Sequence, residues 1–283
     1  MTATITTLNA LRAQVDLYRS AGESVALVPT MGALHAGHMA LIEAAKKQAT
    51  RVIASIFVNP TQFGPNEDFS RYPRTLAEDT ALLEKHGADV LWLPDAASMY
   101  PEAFATHIHV AGVSEGLCGT FRPGHFDGVA TVVAKLLLQV APDYALFGEK
   151  DYQQLCVIKR MTADLDIRTS IIGVPTVREA DGLAMSSRNR YLSKAERIIA
   201  ARLNQILEQT SAMLKKTENE RSFMNALVDA KQRLEEAGFT KIDYLECRQN
   251  DNLLPANTYH ANTRLLVAVW LGNTRLIDNR EIG

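Results

Sequence analysis

Cysteine is scarce in this chain: Cys118, Cys156 and Cys247 stand singly among 283 residues. With no C-x-x-C pair, neither a disulfide framework nor a zinc ribbon is indicated. Long apolar runs are missing as well, so nothing in the sequence is of membrane-spanning length. The amino-terminal MTATITTLNALRAQ lacks the basic region and apolar core of a secretory signal. Charge of one sign is not in excess. A net charge of −2 with mixed signs leaves no electrostatic footprint for nucleic acid. Neither G-x-G-x-x-G nor a G-K-[ST] loop occurs, which removes the dinucleotide fingerprint and the Walker A loop. No repeat or low-complexity segment is present. These absences leave a protein of a reducing cytoplasm, long enough for one large domain or two unequal ones.

What is there centres on Pro29-Thr30-Met31-Gly32-Ala33-Leu34-His35-Ala36-Gly37-His38. Ser24 to Val28 reads as a buried strand, and the residues from Met39 onward have helical spacing and strong helix formers. The stretch is therefore a strand-to-helix turn, the place where an open α/β sheet presents ligands to a helix N-terminus. Gly32 and Gly37 permit close backbone approach, and free amides there favour an anion. His35 and His38, three apart, share a face once the helix has begun. Two imidazoles in such a place suit a phosphate whose charge grows in a transition state. A purely structural turn is the competing reading.

The remaining chain alternates strand, loop and helix. Helices are predicted at 8–21, 75–86, 129–140 and 152–165. Strands are predicted at 51–59, 88–93, 106–110, 143–147 and 169–174. That alternation argues for a doubly wound, mostly parallel α/β sheet. Asn59 and Gln62 lie in a Pro- and Gly-marked loop at a strand's carboxyl end, where solvated amides compete with a ligand role. Gly148-Glu149-Lys150-Asp151 ends another strand, and Lys150 there is either a point charge for phosphate or a solvated loop charge. Ser186-Ser187-Arg188 offers a clamp for phosphate oxygens, or a helix cap, although Ser193 with Glu196 forms the better capping box. From about Val177 the character changes. Long charged helices at 194–214 and 221–237, then strands at 241–248 and 264–271, predict a smaller α+β domain. The expected division is 1–176 and 177–283.

Several blocks, in this order, carry a resemblance: VPTMG with LHAGH, SIFVNPTQF at 55–63, RYPRT at 71–75, RPGHFDGV at 122–129, FGEKDYQQL at 147–155, DGLAMSSRN at 181–189 and LIDN at 276–279. The chain resembles the pantoate–β-alanine ligase family, within the H-x-G-H superfamily of nucleotidylyltransferases and class I aminoacyl-tRNA synthetases. The resemblance spans essentially the whole chain. It implies a Rossmann-like fold and ATP-dependent joining of pantoate to β-alanine through a pantoyl adenylate. It implies ATP contacts from Thr30, Met31, Gly32, Ala33, Leu34, His35, Ala36, Gly37 and His38. Further ATP contacts fall to Gly148, Glu149, Lys150, Asp151, Val177, Met185, Ser186, Ser187 and Arg188. Catalytic roles fall to His38, His35 and Lys150, and pantoate binding to Gln62 and Gln154, with Gln62 also bordering β-alanine. Arg122 and His125 are further contacts. Mg²⁺ accompanies ATP, held more by phosphates and water than by a protein cage, and a cytoplasmic homodimer is expected. A nucleotide-binding sensor without turnover is the alternative. An adenylating enzyme acting on tRNA is disfavoured because no basic domain is appended.

Overall fold

The computed structural model describes residues 2–65 and 67–282; Met1, Asn66 and Gly283, which fall within the two expected domains, lie outside the described residues. The elements run β1 (Ala3–Ile5), α1 (Leu8–Ser20), β2 (Val25–Thr30), α2 (Ala36–Gln48), β3 (Arg51–Ile56), α3 (Leu76–His86), β4 (Val90–Trp92), α4 (Ala96–Met99), α5 (Leu117–Phe121), α6 (His125–Val140), β5 (Tyr144–Gly148), α7 (Tyr152–Asp164), β6 (Ser170–Val174), α8 (Lys194–Leu214), α9 (Glu220–Ala237), β7 (Lys241–Gln249), β8 (Thr263–Leu271) and β9 (Thr274–Glu281).

The first six strands form one sheet in the order β1-β4-β3-β2-β5-β6, with all pairings parallel. Val25 to Val28 are fully buried, as a central strand covered on both faces requires. From β2 the chain winds outward through β3 and β4, then returns to the other side with β5 and β6. The order therefore reverses between β2 and β5, and the crevice beyond the carboxyl ends of these two strands is where such a sheet takes ligands. The histidine turn follows β2, and the Gly148–Asp151 turn follows β5.

The last three strands form an antiparallel sheet, β7-β8-β9. β8 is buried on both faces, and its alternation divides it between two cores. Leu265, Val267, Val269 and Leu271 pack under α8 and α9. Leu266 and Ala268 join Tyr244 in the core of the large sheet. The capping box of Ser193 and Glu196 starts α8, as its sequence predicts.

Three sequence expectations differ from what forms. Residues 106–110 make no strand; the place beside β4 is taken by β1, and the Ile108 N–H donates to the Thr131 hydroxyl instead. The Gly-rich stretch before residue 129 is mostly helical, in α5 and the first turn of α6. β9 is an additional strand, hidden in the sequence by its polar residues. Asp278 and Asn279 are buried there because Asp278 takes the Arg178 guanidinium at 2.7 and 3.0 Å, and Asn279 bonds to backbone carbonyls of the large domain.

Candidate active site

The histidine turn is fixed from within. Asp79, in the first turn of α3 and 2 % exposed, accepts the Ala33 N–H at 2.9 Å and the Leu34 N–H at 2.8 Å. Thr75 Oγ1 donates to the same carboxylate at 3.1 Å. Ala33 and Leu34 are thereby buried behind the turn, and their amides face Asp79. These two amides precede the helix, whose N-cap is His35, and a buried carboxylate already occupies them.

The donors that face outward are imidazoles. His35 Nδ1 accepts the Gly37 N–H at 3.2 Å, and His38 Nδ1 accepts the His35 N–H at 3.2 Å. With both Nδ1 atoms accepting, each neutral ring carries its proton on Nε2. Neither Nε2 has a hydrogen-bond partner among the described residues, and both rings line the cavity. The ring centroids lie 4.1 Å apart. Burial, helped by the Lys150 and Arg190 charges, lowers the His35 pKa to about 4. Burial, with His35 and Lys150 beside it, lowers His38 to about 3. At neutral pH the pair is two uncharged N–H donors. Gly37 is required between them, since a Cβ there would lie 2.9 Å from His35 Cε1 and 3.0 Å from its Nδ1.

Opposite, the turn after β5 brings Gly148, Lys150 and Asp151 to the cavity. Desolvation raises the Asp151 carboxyl, but Lys150 (3.5 Å) and Arg188 outweigh it and hold the pKa below the usual range. Glu149 does not line the cavity among the described residues. Its carboxylate lies 3.8 Å from Arg264, and its carbonyl accepts from Asn279 at 2.8 Å. The neighbouring glutamines divide in the same way. Gln153, on the buried side of α7, bonds to the Cys118 N–H and the carbonyls of Val113, Glu115 and Gly116. Gln154 faces the cavity with no hydrogen-bond partner among the described residues.

The third wall is the turn after β3. Asn59 is 1 % exposed and serves as its post: Nδ2 donates to the Gly128 carbonyl and to Gln62 Oε1, each at 3.2 Å, and Oδ1 accepts from Tyr100 at 2.7 Å. Gln62 is thereby oriented with Nε2 3.0 Å from Met31 Sδ. Gly128 lets α6 approach this turn, since a Cβ would stand 2.4 Å from the Thr61 carbonyl oxygen. His125 and Arg122 brace the turn from behind. The Arg122 guanidinium donates to His125 Nε2 at 2.9 Å, so the ring's proton sits on Nδ1, which donates to the Gln62 carbonyl at 2.8 Å. Burial, with Arg122 adjacent, lowers His125 to about 3.

The segment between β6 and α8 closes the cavity. Val177 and Met185 lie on its wall, and the Met185 N–H donates to the Val177 carbonyl at 3.0 Å. Ser187 Oγ donates to the Ala33 carbonyl at 3.3 Å. Ser186 accepts the Arg188 N–H, the capping role that was the alternative for this serine. Arg188 is paired with Asp68. Thr30, Met31, His35, Gly37 and His38 line the cavity, whereas Gly32, Ala33, Leu34 and Ala36 do not. In sequence Asp79, Asp68 and Glu67 are indistinguishable from solvated charges, being acids in a helix's first turn or a polar loop. Their signal lies in three-dimensional partners and has no local pattern.

A family model described as pantoate-beta-alanine ligase matches residues 3–281. The chain belongs to the pantoate–β-alanine ligase family. Among curated relatives, pantothenate synthetase of Paramagnetospirillum magneticum is 56 % identical over 270 residues, covering 95 % of this chain and 94 % of that protein. Among solved structures, pantothenate synthetase from Thermus thermophilus superposes with a TM-score of 0.93 at 45 % identity, covering 99 % of both chains. The pantoate-beta-alanine ligase from Francisella tularensis, complexed with beta-gamma ATP and beta-alanine, gives a TM-score of 0.82 at 34 % identity, over 100 % of this chain and 98 % of that one. This family's Rossmann-like sheet and small antiparallel domain are both present here.

Proposed function

We propose that the protein condenses pantoate with β-alanine at the expense of ATP, through enzyme-bound pantoyl adenylate. The observation that carries this reading is the cavity itself. Two neutral histidine donors and Lys150 face Gln62 and Gln154 across one crevice, in a chain whose residues 3–281 match this ligase family. Pantoate arrives as a carboxylate, already ionised at pH 7, and needs no general base. Its oxygen attacks the α-phosphorus of ATP as the bond to the bridging oxygen breaks, and pyrophosphate leaves. The amine of β-alanine then attacks the acyl carbon, AMP departs, and the amine gives up a proton to yield the amide.

The chain's contribution is alignment and electrostatics. His35 and His38 donate from Nε2 to oxygens on which charge grows, and Lys150 adds a full positive charge nearby. His38, buried and neutral, acts as a hydrogen-bond donor and not as a cationic acid. Gln154, and Gln62 on its braced turn, hold pantoate, with Gln62 bordering β-alanine. The backbone at Val177 meets the adenine, and Met185 to Arg188 cover the phosphates, with residues 177–283 acting as the lid domain. Gly148, Lys150 and Asp151 contact the nucleotide. ATP enters as its magnesium complex. That ion would be held mainly by phosphates and water. Family kinship is also the basis for reading the protein as a cytoplasmic homodimer.

The test is exchange of labelled pyrophosphate into ATP with pantoate present and β-alanine omitted. Exchange with pantoate alone is the expected result. Exchange with a different acid only would overturn the substrate, and ATP binding without exchange for any carboxylate would leave a nucleotide-binding module.

A further inference from the structure

Glu67 and Asp68 are consecutive, and each grips an arginine by the same edge. Glu67 takes Nε and Nη2 of Arg122 at 2.7 and 2.5 Å, which leaves Arg122 Nη1 for His125. Asp68 takes Nε and Nη2 of Arg188 at 3.0 and 2.8 Å. Arg188 Nη1 has no hydrogen-bond partner among the described residues, and the guanidinium borders both the main cavity and an outer chamber that opens beside Lys150 and Asp151. Asp68 precedes the short 3₁₀ turn Phe69–Arg71, yet its side chain makes no capping bond there. Its carboxylate is engaged with the lid and does not hold its own turn.

A guanidinium on a flexible stem can point many ways, and a side-on carboxylate selects one of them. We propose that Asp68 is a positioning residue for Arg188. It holds the Nε–Nη2 edge so that Nη1 is presented at the cavity mouth to the phosphate chain of a nucleotide. A lone carboxylate near a triphosphate would repel it, whereas one already paired with Arg188 is neutralised where it stands. The 67–68 dipeptide then serves both halves of the site. Glu67 acts through Arg122 and His125 on the Gln62 turn, and Asp68 acts through Arg188 on the lid.

This inference rests on the ligase reading for its turnover assay, but not for its binding assay. ATP binding and pantoate-dependent pyrophosphate exchange are compared in the wild type, Asp68→Ala, Asp68→Asn, Arg188→Ala and the Asp68→Ala/Arg188→Ala double variant. Each Asp68 variant is expected to weaken ATP binding and exchange about tenfold, with Arg188→Ala costing more. In the Arg188→Ala background, Asp68→Ala is expected to add less than about twofold, because its effect passes through the arginine. Full additivity, or an Asp68→Asn variant that binds ATP like the wild type, would overturn the proposal. Asp68→Asn, nearly isosteric, covers the case in which the alanine variant does not fold. Wild-type binding without exchange would overturn the ligase reading alone, and the binding comparison would still decide the role of Asp68.

Discussion

Removing the Asp79 carboxylate tests how the histidine turn is held. In Asp79→Ala the N–H groups of Ala33 and Leu34 lose their acceptor in a site sealed from water. Each buried donor left unpaired costs about 1–3 kcal/mol. Ala33 also sits at φ 50°, in the left-handed region that a Cβ disfavours, and the Asp79 bond is part of what keeps it there. The expected loss is about 4 kcal/mol for Asp79→Ala. It is about 2 kcal/mol for Asp79→Asn, whose oxygen keeps one amide while its NH₂ opposes the other. Thermal unfolding should shift by about 7 °C for the alanine variant. At 25 °C, where that variant is still folded, pyrophosphate exchange should fall at least about tenfold, because the two imidazoles are no longer fixed. A midpoint within about 1 °C of the wild type, together with unchanged exchange, would refute the reasoning.

Acid should destabilise the protein in a defined window. His35 and His38 have folded pKa values of about 4 and 3, below the ordinary 6.5, so the unfolded chain binds their protons first. Their contribution is complete above pH 6.5 and is lost as pH falls towards 4 and then 3, which urea titrations across that range would record. Exchange should accordingly show no inflection near pH 6.5 from these rings; one that vanished in His38→Gln would contradict the neutral-donor assignment. Gly37→Ala should leave the midpoint within a few degrees of the wild type, yet cut exchange more than about tenfold by displacing His35, as circular dichroism and the exchange assay would show. Gln154→Ala should raise the KM for pantoate with little change in unfolding. Gln153→Ala should destabilise by about 3 kcal/mol, since four backbone groups lose their partner; equal effects on stability from the two would sink the division of roles.

The elements that sequence periodicity found are those whose burial is set by one sheet or one helix face. β2 and β3 read as unbroken apolar runs because helices cover both sides, and α8 announced itself by its cap. β1 has no sequence signal because three residues of edge strand carry no period. Residues 106–110 carried a strand-like pattern, but strand identity depends on a free neighbour and β4 already had one. At the site, the histidines and Lys150 were legible because glycines and strand ends surround them. Asp79 was not, since nothing local separates a buried acid that accepts two amides from a solvated one. The sorting of Gln153 from Gln154 required the helix phase of α7, which places one inward and one at the cavity.

The tie from Asn279 has a consequence for the order in which the protein becomes competent. Its side-chain amide donates to the carbonyls of Glu149 and Lys150 at 2.8 and 2.9 Å, so the turn that carries Lys150 is secured by the last strand. At about 5–20 residues per second, a ribosome finishes the large sheet several seconds before Asn279 is joined. During that interval the growing polypeptide holds both histidines and Lys150 but lacks the bonds that fix the latter's backbone. The Lys150 turn therefore reaches its final bonding after the rest of the crevice wall, and a chain cut short before Asn279 would keep the histidine turn while leaving the Glu149 and Lys150 carbonyls without these two bonds.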